Sequence, residues 1–193
     1  MNELIVLKRY LDKYTEYSEE EKQAVLRALN IQEIKKGDYL IRQGDIPVEQ
    51  CYFVLKGCVR QYDIDVEGKE VTVNFYTEEQ AILLFHMDNP YEKSKYSFTC
   101  LEDSVMVVGN LETELEMFEQ YSELESMTRQ LTEMNLHETH HEFAKFIRAS
   151  PEERYKTIIQ SRPDLLKRVP QHQLASYLGI TPESLSRIKK RIR

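Results

Sequence analysis

Residues 173–188 read Gln173-Leu174-Ala175-Ser176-Tyr177-Leu178-Gly179-Ile180-Thr181-Pro182-Glu183-Ser184-Leu185-Ser186-Arg187-Ile188. The stretch divides into two short helices around a tight turn. Gly179 stands where the first helix must reverse, and a residue without Cβ accepts the positive φ such a stop requires. Thr181 is placed to cap the second helix, and Pro182 suits its first position, where the N–H of any residue would go unpaired. Ala175 is small enough for two helices to cross closely, and Leu174, Leu178 and Ile180 supply apolar contacts between them. Residues three, four and seven apart share a helix face. Leu185, Ile188 and Ile192 therefore form one stripe of the second helix, and Glu183, Ser186, Arg187 and Lys190 another. Helix, glycine-containing turn and amphipathic second helix make a helix-turn-helix pattern.

The polar stripe has the chemistry of base reading. Arg187 can donate two hydrogen bonds to guanine O6 and N7 in the major groove, and Glu183 can accept from cytosine N4. Ser184 and Ser186 are placed to assist, and Thr181 and Lys190 to contact phosphate or sugar. Lys189, Lys190, Arg191 and Arg193 would add phosphate contacts, which strengthen binding without reading sequence. An ordinary surface hairpin gives the same pattern, so charge is the next test. The chain has 193 residues and a net charge of −7. Residues 151–193 carry ten Lys and Arg against four Asp and Glu, a surplus of +6, which leaves −13 on residues 1–150. An acidic body with a basic end is the electrostatic footprint of a protein that offers one face to nucleic acid.

Glu183-Ser184-Leu185-Ser186-Arg187 resembles the recognition-helix motif E-x-x-S-R of the Crp/Fnr transcription-regulator family. The N-terminal half resembles that family's cyclic-nucleotide-binding-type barrel through Lys36-Gly37-Asp38-Tyr39-Leu40-Ile41-Arg42-Gln43-Gly44-Asp45 and Cys51-Tyr52-Phe53-Val54-Leu55-Lys56-Gly57-Cys58-Val59. The resemblance runs along roughly the whole chain. It implies an α+β architecture: an effector domain over 1–121 built on a β jelly roll, a dimerisation helix over 122–149, and a helix-turn-helix DNA-binding domain over 150–193. It further implies a homodimer on pseudo-palindromic double-stranded DNA with a G·C pair in each half-site, RNA polymerase as a partner, and a small-molecule effector. Members of the family often continue past the recognition helix into a β-wing, whereas this sequence ends at Arg193, one or two residues after the helix should end.

The residues of the N-terminal half agree with a barrel. Residues 18–30 read as a helix with Ser18 as cap, Glu19 to Glu21 in the first turn and Val25, Leu26 and Leu29 facing inward. From about 31 to 109 the pattern becomes short and alternating, with strands expected at Tyr39–Arg42, Cys51–Leu55, Val59–Ile64, Val71–Phe75, Tyr96–Leu101 and Val105–Val108. Gly37, Gly44, Gly57 and Gly68 punctuate them. Many short strands with regular turns suggest a sandwich or jelly roll, and about 110 residues suffice for its core.

The effector question turns on residues 76–104. Cyclic-nucleotide binders of the family carry F-G-E followed by R-[ST]-A, in which the Glu accepts from the ribose and the Arg neutralises the phosphate. Here the stretch reads Tyr76-Thr77-Glu78-Glu79-Gln80-Ala81-Ile82, and Ser94-Lys95-Tyr96 stands near the second motif. Glu78, Glu79, Lys95 and Tyr96 are the candidate pocket residues. Lys95 offers a point charge and no fork, and no glycine lets the backbone wrap a phosphate. Cyclic AMP is therefore not the expected effector. Cys51, Cys58 and Cys100 lack metal-site spacing and read as small buried hydrophobes in a reducing cytoplasm. Fnr-type sensors hold an iron–sulfur cluster on clustered N-terminal cysteines; residues 1–50 contain none, so no such cluster is expected. No apolar run is long enough to span a membrane and no secretory signal pattern is present.

Leu111–Tyr121 reads as a short helix and Ser122–Ala149 as a longer one. Leu124, Met127, Leu131 and Met134 recur at spacings of three, four and three and are the expected dimer seam. Phe143, Phe146 and Ile147 should pack onto the DNA-binding domain, with Ala149-Ser150-Pro151 as hinge. One motif points elsewhere: His137-Glu138-Thr139-His140-His141 satisfies H-E-x-x-H, the helical signature of zinc peptidases. That reading needs a third ligand, and the only later histidine is His172 inside the helix pair. The chain is thus read as no enzyme and as holding no metal at a functional site, with a small zinc metallopeptidase as the alternative. A further alternative is a ligand-sensing protein whose helix-turn-helix contacts protein and not DNA.

Overall fold

The alternating first half folds into two antiparallel sheets, and the periodic second half into helices, the last four of which close over the second sheet. The computed structural model describes residues 4–47, 49–84 and 91–192, with backbone alone at 138 and 142. Helices α1 (Leu4–Tyr14) and α2 (Glu19–Ala28) precede strands β1 (Ile31–Ile34), β2 (Tyr39–Ile41), β3 (Gln50–Lys56), β4 (Val59–Ile64), β5 (Glu70–Tyr76), β6 (Ala81–Leu84), β7 (Ser97–Cys100) and β8 (Ser104–Asn110). Helices α3 (Leu111–Gln120), α4 (Ser122–Arg148), α5 (Pro151–Ser161), α6 (Leu165–Arg168), α7 (Gln171–Tyr177) and α8 (Pro182–Ile192) follow.

The sheets have strand orders β1-β8-β3-β6 and β2-β7-β4-β5, with antiparallel neighbours throughout, the interleaving of a jelly roll. Alternate residues of a strand face opposite sides. Val59 and Tyr76 accordingly join Val54, Ile82, Phe98 and Met106 between the sheets, while Cys58 and Phe75 face outward to the C-terminal helices. Gly57 makes the β3–β4 turn possible. Its φ is +120°, and a Cβ there would lie 2.1 Å from Ser104 Oγ and 2.8 Å from Ser104 Cα.

The expected strands are present with ends shifted by a residue or so. Several elements were not anticipated, among them β1, β6, α1 and the one-turn α6. Strand β1 is a largely exposed edge, so its faces carry little contrast. Strand β6 is a continuous apolar run, Ala81-Ile82-Leu83-Leu84, without alternation. Helix α1 was legible, since Leu4, Leu7 and Leu11 share a face; Leu11 is buried with Val25, Leu26 and Leu124, and Leu4 and Leu7 pack against them. Helix α2 starts where Ser18 and Glu21 form a reciprocal capping box. The chain breaks between α4 and α5 at the expected place: Ser150 caps α5 with Glu153, and Pro151 occupies the first turn.

Helices α5 to α8 and the outer face of the second sheet share one apolar cluster. Tyr155, Ile158, Leu165, Leu174, Leu178, Leu185 and Ile188 close over Cys58 and Phe75. Helix α7 lies along edge strand β5, and Ser176 Oγ accepts the Thr72 N–H at 2.9 Å, satisfying a donor the sheet leaves open. The Tyr177 ring meets Phe75 at 5.4 Å and Phe146 at 5.7 Å. Among the described residues no helix is long and apolar enough to cross a membrane.

Candidate nucleic-acid interface

Helix α7 ends in a Schellman motif. Gly179 has φ +73°, its N–H donates to Ser176 O at 3.0 Å, and the Ile180 N–H reaches back to Ala175 O at 3.0 Å. Thr181 Oγ1 then accepts the Ser184 N–H at 3.3 Å and starts α8. This stop and start fix the direction of α8. Leu185 and Ile188 are 1% and 5% exposed, whereas Glu183, Ser186, Arg187 and Lys190 all lie on the exposed face. An open groove of about 840 Å³ beside Arg187 and Arg191 is walled by Ser150, Pro151, Glu152 and Ile180.

Not every side chain of this helix is equally available. Ser184 is half-buried, and its Oγ accepts from Thr181 Oγ1 at 3.2 Å and from Arg187 Nη2 at 3.5 Å. Lys189 donates to Gln171 Oε1 at 2.6 Å, and Arg191 pairs with Glu152 at 3.5 Å. Among the described residues Lys190 makes no ion pair. The Glu183 carboxyl is held below its usual range by its own backbone N–H, then by the Thr181 hydroxyl, so it is an acceptor at neutral pH. Arg193 lies outside the described residues.

The basic surplus is also unevenly placed. Arg162 Nη2 donates to Phe75 O at 2.7 Å, and Arg168 binds Glu78 and Glu102 on the sandwich. Arg154 Nε donates to Phe146 O at 3.0 Å and its Nη1 to Leu178 O at 3.2 Å, with its guanidinium 4.1 Å from the Phe146 ring centroid. One side chain thereby ties the ends of α4 and α7 together. Sequence reading counted these three arginines as nucleic-acid charge. Their partners lie 8 to 90 residues away in the chain, and no local pattern announces such pairs.

The structure does not bring the four candidate pocket residues together. Glu78 faces α6 and Glu79 faces α1, where it accepts from Arg9 at 2.5 Å and Tyr10 at 2.7 Å. Lys95 is exposed and pairs with Glu92 at 3.4 Å; Tyr96 packs on the sandwich core. The side chains of Tyr52, Ile82, Phe98 and Met106 occupy the space between the sheets.

The expected α4 residues are also unevenly placed within the chain. Leu124 is 6% exposed because α1 and α2 cover it, and Met127 packs against the same cluster, so neither is a free seam residue. Leu131 is half-buried and Met134 is 48% exposed. Phe146 packs on Tyr177 as expected, but Phe143 and Ile147 stay 62% and 61% exposed. His137, His140 and His141 lie exposed on α4, and the Glu138 side chain is outside the described residues. Among the described residues no group of three or more His, Cys, Asp or Glu is arranged to hold a metal ion. Cys58 and Cys100 are buried and Cys51 half-buried; burial pushes the Cys51 and Cys58 thiols up to about 12, with Glu114 adding to the effect at Cys51.

Comparison with known proteins places the sandwich first. Residues 31–121 match the family model of the cyclic nucleotide-binding domain. No curated protein matches the sequence. Among solved structures, a CooA mutant from Carboxydothermus hydrogenoformans superposes with a TM-score of 0.65 at 16% identity, over 99% of this chain and 84% of that one. FixK2 from Bradyrhizobium japonicum gives 0.62 at 17% identity, over 85% and 84%. The c-di-GMP responsive global regulator CLP from Xanthomonas campestris gives 0.60 at 16% identity, over 88% and 91%. The class is therefore a cyclic nucleotide-binding-type sandwich continued into a helical C-terminal segment. The similar structures share that fold along most of their lengths.

Proposed function

We propose that this chain is a sequence-specific DNA-binding transcription regulator of the Crp/Fnr type. The observation that carries the reading is α8: its apolar stripe is buried, its Glu183-Ser186-Arg187-Lys190 stripe is exposed, and a Schellman turn and a threonine cap set its direction. Arg187 and Glu183 read base edges, Ser186 assists, and Thr181 and Lys190 contact the backbone. Ser184 contributes by orienting Arg187, since its oxygen already serves Thr181 and Arg187. Two copies bind a pseudo-palindrome, because one helix in one major groove reads only a half-site. The exposed apolar residues Met134, Phe143 and Ile147 make α4 the natural helix for the pairing. On this reading, 1–121, 122–149 and 150–193 act as effector domain, dimerisation helix and DNA-binding domain.

The described residues of the sandwich do not fit a cyclic nucleotide. The acids near the expected cassette are committed to Arg168, Arg9 and Tyr10, and the buried Arg60 is committed to Thr72 and Glu70. We therefore expect no response to cyclic AMP. Calorimetry of the full chain with cyclic AMP and cyclic GMP checks this: heats at dilution level are expected, and micromolar binding of either contradicts it. The DNA-binding reading is tested by selecting duplexes from a randomised pool and titrating the enriched site against salt. Enrichment of a two-fold symmetric motif, with affinity falling steeply as salt rises, is expected. No enrichment, or salt-independent retention, leaves the helix pair as a protein contact.

A further inference from the structure

We propose that the β5–β6 turn, Thr77–Gln80, is a coupling element that ties the N-terminal helix to the C-terminal helices and so sets the docked orientation of α8. Adjacent residues of this turn grip opposite ends of the chain. On one side, Arg168 of α6 closes a two-pronged bond on Glu78, with Nη1–Oε2 at 2.7 Å and Nη2–Oε1 at 2.9 Å. The same guanidinium binds Glu102, with Nε–Oε1 at 3.0 Å. Glu78 Oε1 also accepts the Gly57 N–H at 2.9 Å, which anchors the carboxylate to the β3–β4 turn. Arg162, just past α5, adds bonds to Phe75 O at 2.7 Å and Thr77 Oγ1 at 3.3 Å.

On the other side, Glu79 accepts from Arg9 and Tyr10 of α1. Its backbone is what lets two neighbouring acids point apart: φ is +68°, the left-handed region that non-glycine residues seldom adopt. Such a conformation persists only where its surroundings over-determine it. Here the Glu79 N–H donates to Val54 O at 2.9 Å and Gln80 N to Thr77 O at 3.3 Å. The turn is short, internally bonded and loaded from both sides. A displacement of α1 is therefore carried to the Arg168 fork, which fails with small changes in geometry because it needs both carboxylate oxygens at once. Loss of the fork leaves Glu78 and Glu102 without their shared cation and favours release of α6 and α7 from the sandwich.

Backbone hydrogen exchange of the full chain tests this. Arg168→Ala is expected to speed exchange in residues 165–177 by about tenfold or more. Arg168→Lys, which keeps the charge and loses the fork, is expected to do the same by threefold or more, with β3 and β8 unchanged in both. The deciding variant is Arg9→Ala with Tyr10→Phe, which touches none of the C-terminal helices. It is expected to speed exchange in 165–177 by threefold or more, and to add nothing when combined with Arg168→Lys. A change below threefold in the α1 variant, or full additivity with Arg168→Lys, overturns the coupling. If Arg168→Ala loosens β3 and β8 as well, Arg168→Lys decides by the same criterion.

Discussion

Arg187 and Lys190 share the exposed face of α8 but are expected to fail differently. Arg187→Ala should cost about 1–3 kcal/mol of specific binding and relax preference at one base pair, whereas Lys190→Ala should weaken all sequences evenly and reduce the salt slope by about one. Gel-shift titrations on matched and mismatched duplexes separate the two. The glycines make a similar contrast. At Gly179 a Cβ would meet only Arg154 Nη1, at 3.5 Å, so Gly179→Ala should lower stability by about 1 kcal/mol through its positive φ alone. At Gly57 the Cβ would run into Ser104 backbone and side chain, so Gly57→Ala should cost several times more. Thermal melts of the two variants check the ranking.

Among the elements, α4 shows best how far the sequence could be read. Its C-terminal end followed from Ala149 and the Ser150-Pro151 break, because caps and proline act locally; its start did not, since Ser122, the expected cap, is the first helical residue and Tyr121 precedes it without a side-chain cap bond. Its partners did not follow. Leu124 has the spacing of a dimer seam, but the same spacing serves a helix buried on α1 and α2, and periodicity does not name the neighbour. The site behaved likewise: the direction and faces of α8 were legible because cap, glycine and stripe lie within sixteen residues. The arginine ties of the sandwich were not, because they join distant segments. Leu124→Ala should therefore destabilise the folded chain by about 2–5 kcal/mol. Ile147→Glu, on the exposed part of the helix, should leave the melt nearly unchanged and shift the proposed dimer toward monomer in sedimentation. A melt unaffected by Leu124→Ala contradicts the packing described for α4.

In the whole molecule, α8 is held by helices that are themselves fastened to the sandwich, so the pH dependence of that fastening bears on function. Burial alone would raise the Glu78 carboxyl, but the Arg168 fork and the Gly57 N–H outweigh it and hold it below the usual range. A carboxyl depressed in the folded state stabilises the fold above its unfolded pKa of about 4.3, and that contribution is lost as pH falls through the folded value. The melting temperature of the native chain should thus exceed that of Arg168→Ala by its full margin at pH 7, and the gap should narrow below about pH 4. A gap that stays constant to pH 3 means the fork does not fasten the two parts. On the proposed function, two copies of α8 would meet one face of a duplex about 34 Å apart, one turn of DNA. The most direct measurement is selection of duplexes by the full-length protein, repeated with Arg187→Ala. Enrichment of a two-fold symmetric site with half-sites one helical turn apart, blunted at one symmetric base-pair position by Arg187→Ala, is the predicted result. A pool that stays random, or a motif unchanged by Arg187→Ala, contradicts the assignment of α8 as the reading helix.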